Sequence, residues 1–314
     1  MIRGFSLYLV TTFAVATLSL RSYTRTTITC SAPGTVAGRC GKRKNLHLPL
    51  IYTYKEMMSE SADLIKTPVD EHFAEEASQA GVSPESAVLS VSEIFESVQG
   101  EGVNIGTPST FLRLAFCNLR CSWCDTKYTW DWQTYRREDE IETMSPQAVT
   151  SLLRSQQSKN IVITGGEPLL QQRQLLPVIR DLATDHTFEV ETAGTIMPSS
   201  DLAKLIQIWN VSPKLANSNN PFKARHRTEP LTRFAQMENA FFKFVIQAES
   251  DIQEVLDLVR EFHIPNTRIL LMPEATDPVE LEKKSDWLVQ QCIKHQFRLG
   301  YRLHVALWGN KRGV

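Results

Sequence analysis

Three closely spaced cysteines constrain this chain more than any other feature. Residues 116–126 read FCNLRCSWCDT, which places Cys117, Cys121 and Cys124 at C-x3-C-x2-C spacing, with Trp123 before the last one. A structural zinc site normally has four side-chain ligands, whereas three thiolates on a [4Fe-4S] cube leave one iron without a protein ligand. On a helix these cysteines would form a stripe and not converge, so the segment is predicted to be a loop. The motif alone fits either the cluster or zinc completed by a distant histidine.

A second motif lies at residues 161–168, which read IVITGGEP. The β-branched run predicts a strand, Gly165 and Gly166 let the backbone approach a ligand closely, and Pro168 suits a helix start. Alone, this motif is an ordinary strand-to-helix turn. Together with the cysteine loop it resembles the radical S-adenosylmethionine (SAM) superfamily, in which C-x3-C-x-aromatic-C binds the cluster and a GGEP-type motif meets the methionyl amine. The resemblance favours a cluster over zinc.

The composition fits a globular enzyme. The chain has 314 residues, of which 42% are hydrophobic, enough for one large domain or two. Its formal net charge of -1 gives no basic field for nucleic acid, and we predict neither a nucleic-acid nor a membrane partner. Cys30, Cys40 and Cys292 show no disulfide framework, and an iron–sulfur loop favours a reducing compartment.

The N-terminal region is predicted to lie outside the fold. The first 55 residues contain no Asp or Glu and are rich in Arg, Lys, Ser and Thr, which is typical of an organellar transit peptide. The alternative to a leader over residues 1–56 is an over-long gene prediction, with translation starting at Met57 or Met58. Residues 57–88 are polar and acidic, which predicts a flexible extension. We therefore expect a cytoplasmic protein, or a plastid or mitochondrial one if the leader is real.

Strand and helix patterns alternate over residues 89–314. Predicted helices cover residues 146–157, 169–184, 200–207, 251–263 and 278–297. Predicted strands cover residues 91–95, 110–116, 161–164, 187–191, 209–212, 241–247, 268–272 and 302–308. This alternation implies parallel strands with helices outside. Roughly six such units are too few for a closed eight-fold barrel, so we predict an α/β fold, an incomplete (β/α)6-type TIM-like barrel of the radical SAM kind, with its polar motifs gathered at the C-terminal strand ends.

Further features narrow the resemblance to one family. Residues 97–102 read SVQGEG, residues 111–114 read FLRL, residues 124–126 read CDT, and His304 precedes a C-terminus ending in Gly-Val. From residue 92 to the end, the chain resembles the 7-carboxy-7-deazaguanine synthase family. The resemblance implies a carbon–nitrogen lyase of queuosine and 7-deazapurine biosynthesis, which contracts 6-carboxy-5,6,7,8-tetrahydropterin to 7-carboxy-7-deazaguanine with release of ammonia. It also implies a [4Fe-4S] cluster, SAM and Mg2+ as cofactors, a homodimer, and a reductant such as flavodoxin.

The same resemblance assigns site residues by matching motif. The cluster would be held by the three loop cysteines and Mg2+ by Thr126, with no catalytic side chain beyond the cluster and SAM. The substrate-binding residues would be Gln99, Gly100, Glu101, Arg113, Thr164, His304 and Val314. The SAM-binding residues would be Trp123, Cys124, Asp125, Gly166, Glu167, Ser212, Pro213, Lys214, Met272, Pro273 and Glu274.

Several of these residues have structural alternatives. Arg113 has the planar guanidinium that suits a substrate carboxylate, and strand alternation places it opposite two leucines, but a structural ion pair is the alternative. For Ser212 the alternative is a helix cap, for Thr126 a solvated loop hydroxyl, and for His304 a satisfied core histidine.

Two other functions share parts of the pattern. A glycyl-radical-enzyme activase has the same cysteine loop but acts on a protein, and the QGEG segment and Arg113 have no role in that chemistry. A zinc-stabilised binding protein would have the cysteines without catalysis, and metal analysis distinguishes it from an iron–sulfur enzyme.

Overall fold

One sheet of nine strands organises the computed structural model, which describes residues 88–314. The strands are β1 Leu89–Val98, β2 Pro108–Leu114, β3 Glu142–Met144, β4 Asn160–Gly165, β5 Thr187–Thr192, β6 Ile208–Val211, β7 Ala240–Ile246, β8 Ile269–Pro273 and β9 Arg298–Leu299. Their order across the sheet is β3-β1-β2-β4-β5-β6-β7-β8-β9. The expected leader and the polar extension up to residue 87 lie outside the described residues.

Helices connect the strands. They are α1 Arg137–Glu140, α2 Pro146–Ser155, α3 Gln172–Leu182, α4 Ser200–Ala203, α5 Phe222–Arg225, α6 Thr228–Ala235, α7 Ser250–Glu261, α8 Pro278–His295 and α9 Leu303–Trp308. Local chemistry marks the start of the longer ones. Ser145 Oγ accepts a hydrogen bond from Ala148 N at 3.2 Å before α2, and Asp277 Oδ1 accepts one from Val279 N at 2.9 Å before α8. A proline follows each cap, in the first helical position where its missing N–H costs nothing.

The strand directions confirm an incomplete barrel. β1 runs antiparallel to β2 and β3, and every other neighbouring pair, from β2 through β4 to β9, is parallel. In the described part of the chain, β3 and β9 are the two edges of an open sheet. The parallel strands place their C-terminal ends at one edge, which is the edge where the sequence motifs lie.

Residues of the parallel strands alternate between two environments, as the period of two in a strand requires. One set of apolar side chains packs against the helices as part of the core, namely Leu112, Ile163, Val190, Val211 and Phe242. The residue after each of these faces the cavity inside the barrel, namely Arg113, Thr164, Glu191, Ser212 and Lys243. The strand pattern therefore places polar side chains on the inner face without breaking the core.

The prediction of a strand at residues 302–308 is wrong, because this segment forms helix α9. Its Leu-x-Val-x-Leu alternation is typical of a strand, but only Val305 of this helix is buried, and Leu307 is 56% exposed. Val305 packs against Ala275 and Leu281, and this apolar contact attaches the helix to the rest of the fold. Leu303 N also donates to Gly100 O at 2.8 Å, which ties α9 to the loop before β2.

Other differences concern short or irregular elements. Helix α4 is a single turn where residues 200–207 were predicted, and α1, α5, α6, β3 and β9 were not predicted. β1 extends three residues beyond its predicted end because it pairs with β2 as far as Val98. Among the described residues, no helix combines the length and the apolar character needed to cross a membrane.

Candidate active site

A cavity of about 470 Å³ lies at the C-terminal ends of the parallel strands. The structure brings the predicted site residues together around it, apart from Glu167, Pro213 and Pro273. The predicted residues that line it are Gln99, Gly100, Glu101, Arg113, Cys117, Cys121, Trp123, Cys124, Asp125, Thr126, Thr164, Gly166, Ser212, Lys214, Met272, Glu274, His304 and Val314. The expectation that the strand-end motifs share one cup is confirmed.

Each cysteine of the loop after β2 has a nitrogen near its sulfur. Leu119 N donates to Cys117 Sγ at 3.4 Å. Asn220 Nδ2 donates to Cys121 Sγ at 3.2 Å, and Trp130 Nε1 donates to Cys124 Sγ at 3.4 Å. Such donors stabilise negative charge on thiolate ligands. Three thiols around one cavity, each with an N–H donor, fit an iron–sulfur cluster with three protein ligands.

Burial raises the pKa of the Cys121 thiol, although Lys214 and the Asn220 amide oppose the shift. Burial raises the pKa of the Cys117 thiol to about 12, although the Leu119 N–H opposes the shift. Iron binding has to displace this proton, as it does at thiolate sites generally. Across residues 88–314, no three Cys, His, Asp or Glu side chains converge in the manner of ligands to a single metal ion.

Gly166 allows the loop after β4 to lie directly against the cysteine loop. A Cβ at this position would lie 1.9 Å from Phe116 O and 3.0 Å from Cys117 Cβ. The backbone contact is real, since Glu167 N donates to Phe116 O at 2.8 Å. The GGEP motif therefore needs glycine here for backbone packing beside the thiols.

Glu167 is buried behind the cavity wall and does not line it. Its carboxylate accepts hydrogen bonds from Ala193 N at 2.8 Å, Leu169 N at 3.1 Å and Thr192 Oγ1 at 2.8 Å. Burial raises the pKa of this carboxyl, and those hydrogen bonds lower it in part. In this structure Glu167 ties the end of β4 to the end of β5, and its role toward SAM stays a prediction.

The residues predicted to bind SAM contact one another through polar and aromatic groups. Lys214 Nζ donates to Ser212 Oγ at 2.9 Å and lies 5.4 Å from the ring centroid of Trp123. The Trp123 indole N–H donates to Asn217 Oδ1 at 3.2 Å, which orients the ring. Glu274 pairs with Lys284 at 3.0 Å. The next helical turn begins at Ala216 and follows Leu215, so Ser212 is not at a cap position and the cap alternative does not apply.

Glu191 organises two predicted substrate residues. Gln99 Nε2 donates to Glu191 Oε1 at 3.3 Å, and Thr164 Oγ1 donates to Glu191 Oε2 at 2.9 Å. Gln99 Oε1 in turn accepts from Glu101 N at 3.1 Å. The QGEG loop and the end of β4 are therefore joined through one carboxylate inside the barrel.

Glu101 lies between two buried cations. Its Oε2 pairs with Lys243 Nζ, and its Oε1 pairs with Arg302 Nε at 2.9 Å. Burial raises the pKa of the Glu101 carboxyl, but Lys243, Arg302 and His304 lower it more, so it lies far below its usual range. The group is a fixed negative charge in the cavity.

Arg302 connects this charge to the cysteine loop. Its Nη2 pairs with Asp125, and its Nη1 donates to Ala275 O at 2.5 Å. His304 follows Arg302 by two residues, and its Nε2 lies 3.9 Å from Glu101 Oε1. Its side chain faces the cavity and not the core. A Cβ at Gly100 would lie 2.2 Å from His304 Nδ1, so glycine makes room for this imidazole.

Arg113 forms the ion pair that was the alternative to substrate binding, and its role toward the substrate stays a prediction. The residue lines the cavity, and its Nε lies 2.7 Å from Glu93 Oε2. Thr126 lines the cavity beside the cysteines, with Oγ1 at 3.6 Å from Cys124 Sγ.

Sequence reasoning missed several residues of the cavity wall, namely Tyr128, Lys243, Arg302 and Arg312, whereas Glu191 was expected there as part of a strand-end motif. Lys243 had a detectable signal, because it is the one charged residue in the apolar run AFFKFVI of β7. Arg302 was missed because residues 302–308 were predicted to be a strand. Arg312 had no signal, since a basic residue near a terminus is usually solvated.

Comparisons with known proteins place this chain among relatives of one superfamily. Residues 112–282 match the Radical SAM superfamily. A 7-carboxy-7-deazaguanine synthase from Pyrobaculum aerophilum is 37% identical over 229 residues, which cover 71% of this chain and 96% of the relative. Proteins of the same name from Halobacterium salinarum and Rhodopirellula baltica are 34% and 31% identical, over 77% and 79% of this chain and 98% of each relative.

A solved structure shares the fold. The crystal structure of QueE from Escherichia coli aligns with a TM-score of 0.54 at 24% sequence identity. The alignment covers 69% of this chain and 95% of that chain.

Proposed function

We propose, because this chain belongs to the 7-carboxy-7-deazaguanine synthase family of the radical SAM superfamily, that it converts 6-carboxy-5,6,7,8-tetrahydropterin to 7-carboxy-7-deazaguanine with release of ammonia. Membership confirms the resemblance predicted from the sequence motifs. The observation that carries the proposal is the single cavity that joins the three-cysteine loop to Arg113, the QGEG loop and the C-terminus. The reaction makes the enzyme a carbon–nitrogen lyase of queuosine and 7-deazapurine biosynthesis.

The cofactor side of the cavity would hold a [4Fe-4S] cluster and SAM. The three thiols and their N–H donors fit the cluster. For SAM, Gly166 offers closely approaching backbone, Trp123 an aromatic face and Lys214 a cation. Together the bound cofactors would supply the one-electron chemistry that begins the reaction. The chain's own task is to bind and orient the substrate against them.

The substrate side offers charges that match the pterin acid. The terminal nitrogens of Arg113 suit the substrate carboxylate. Glu101 stays ionised between Lys243 and Arg302 and would accept hydrogen bonds from N–H groups of the ring. Glu191, held by Gln99 and Thr164, offers a second carboxylate for the same purpose.

Mg2+ is proposed to bind at Thr126. A hydroxyl is an oxygen ligand of the kind this ion prefers, and Mg2+ usually takes several further ligands from water and substrate. A homodimer and a reductant such as flavodoxin also belong to the proposal, on the family resemblance alone.

The test is a reaction of the reconstituted full-length enzyme under anaerobic conditions. SAM, reductant, Mg2+ and 6-carboxytetrahydropterin are supplied, and products are identified by mass spectrometry. Formation of 7-carboxy-7-deazaguanine establishes the assignment. Release of 5'-deoxyadenosine without the deazapurine keeps the superfamily chemistry and rejects the substrate, and neither product from a fully loaded cluster favours a protein-directed activase.

A further inference from the structure

Glu93 joins two parts of the substrate side without lining the cavity itself. It lies on β1 directly opposite Arg113 in the register with β2, and its side chain is 14% exposed. Oε2 of its carboxylate accepts hydrogen bonds from Arg113 Nε at 2.7 Å and from Tyr128 OH at 2.9 Å. Oε1 accepts one from Arg312 Nε at 2.5 Å. One half-buried carboxylate therefore serves a strand residue and a residue of the C-terminal segment.

The contact at Oε2 determines how Arg113 presents its charge. Of the guanidinium nitrogens of Arg113, only Nε donates to an acceptor within residues 88–314. Nη1 and Nη2 are thus left for a ligand, and two parallel N–H groups match the two oxygens of a carboxylate. A guanidinium already held in this orientation loses less freedom when the ligand binds.

The contact at Oε1 holds the C-terminal segment, residues 309–314, all of which line the cavity. Arg312 has two further contacts there. Its guanidinium carbon lies 3.8 Å from the ring centroid of Tyr128, and Nη1 donates to Glu140 Oε2 at 2.7 Å. Tyr128 thus contacts both Glu93 and Arg312, because its hydroxyl donates to the Glu93 carboxylate and its ring lies under the Arg312 guanidinium.

We propose that Glu93 is a positioning residue that aims Arg113 at the substrate carboxylate and, through Arg312, holds the C-terminal segment beside it. The inference rests on the proposed function, since it takes the 6-carboxylate of the pterin as the ligand of Arg113. Loss of the Glu93 charge leaves two guanidinium groups without the counter-charge that they share. Arg312 keeps Glu140 as an ion-pair partner, whereas Arg113 loses its hydrogen-bonded ion pair and keeps the Phe95 ring, whose centroid lies 5.7 Å from its guanidinium carbon.

The test compares Glu93→Gln with Glu140→Gln in the reconstituted full-length enzyme. Glu140 contacts Arg312 but not Arg113, so it is the matched control. Two ligands are measured, 6-carboxytetrahydropterin as substrate and tetrahydropterin, which lacks the carboxylate, as competitor. For Glu93→Gln we expect KM for the substrate to rise about tenfold or more, with kcat within about threefold of wild type and inhibition by tetrahydropterin unchanged. Glu140→Gln should leave that KM within about twofold of wild type.

A second readout needs neither substrate nor turnover. Carboxypeptidase removes Val314 and Gly313 faster when the C-terminal segment is released, and intact-mass spectrometry measures the rate. Digestion should be faster in Glu93→Gln and in Arg312→Met than in wild type. If Glu93→Gln does not fold, Arg312→Met tests the same contact from the other side, and Glu93→Asp should restore part of the substrate affinity.

Several results would overturn the proposal. Equal loss of affinity for both pterins, or a lower kcat at unchanged KM, would mean that Glu93 only supports the fold. Wild-type digestion rates in both Glu93→Gln and Arg312→Met would refute the hold on the C-terminal segment. A wild-type enzyme that binds neither pterin would refute the proposed function and the aim of Arg113 together, while the digestion rates would still decide the hold on the segment.

Discussion

Asn220 Nδ2 lies 3.2 Å from Cys121 Sγ, although 99 residues separate the two in the sequence. Asn220 is 8% exposed, and its Oδ1 accepts a hydrogen bond from Arg120 N at 2.7 Å. The same amide therefore holds the backbone of the cysteine loop and donates to one of its sulfurs. Groups of this kind orient metal ligands and adjust their electron density.

Replacing Asn220 with Ala should weaken the cluster, because it removes both contacts at once. We expect iron release to a chelator to become about 10- to 100-fold easier, with a lower reduction potential because a donor to sulfur is lost. Absorbance during chelation and an EPR-monitored titration measure the two effects. Asn219→Gly is the control, since Asn219 is exposed and its left-handed backbone (φ 61°) suits glycine. Wild-type iron retention in Asn220→Ala would contradict this prediction.

Cys121→Ala should abolish the cluster and turnover, because it leaves two thiols where three are needed. Iron and sulfide per chain, measured after anaerobic reconstitution, check the result. Cys292→Ala is the matched control, since Cys292 is a buried thiol in α8 outside the cavity wall and should not affect iron content. About one zinc per chain with no iron in the wild type would reject the cluster altogether.

Gly166→Ala should prevent cluster assembly more than it unfolds the chain. The added Cβ would lie 1.9 Å from Phe116 O, so the cysteine loop must move away from the loop after β4. Gly106→Ala is the comparison, because a Cβ there meets no atom within 4 Å and adds only the cost of a left-handed backbone, about 1–2 kcal/mol. Iron content and thermal unfolding of the two variants separate the effects. Equal iron loading in both variants would contradict the expectation.

Lys243→Met should destabilise the protein most near neutral pH. Removing one partner of a buried ion pair costs roughly 3–5 kcal/mol, and the loss here should be smaller because Arg302 still pairs with Glu101. In the wild type the pKa of Glu101 is lowered in the folded state, so its stabilisation is complete above the usual carboxyl pKa of 4.5 and is lost as pH falls below it. The gap between variant and wild type should therefore narrow in acid. Denaturant unfolding at pH 7 and pH 3.5 measures this difference in the free energy of unfolding. A difference that grows in acid would contradict the prediction that the pair stabilises the fold through the ionised Glu101.

Much of the fold was readable from local pattern. The run IVITGG predicted β4 and its turn, and the Asp-Pro pair at residues 277–278 marks the start of α8. The strand prediction for residues 302–308 failed because Leu303, Val305 and Leu307 alternate as in a strand, although within residues 88–314 no strand pairs with them. Alternation describes a possible buried face, and the presence of a partner decides whether a strand forms.

The candidate site divides in the same way. Residue type and spacing alone determined the three-cysteine loop, the glycine turn beside it and the polar residues that end the strands, because each depends on a few consecutive residues. Only the tertiary structure decided which charges meet. Glu101 pairs with Lys243 and Arg302 across 142 and 201 residues, and Glu93 pairs with Arg312 across 219. Such pairs depend on strand order, on register and on the path of the C-terminal segment, and no local pattern encodes these, because every partner is brought near by the folding of the intervening chain.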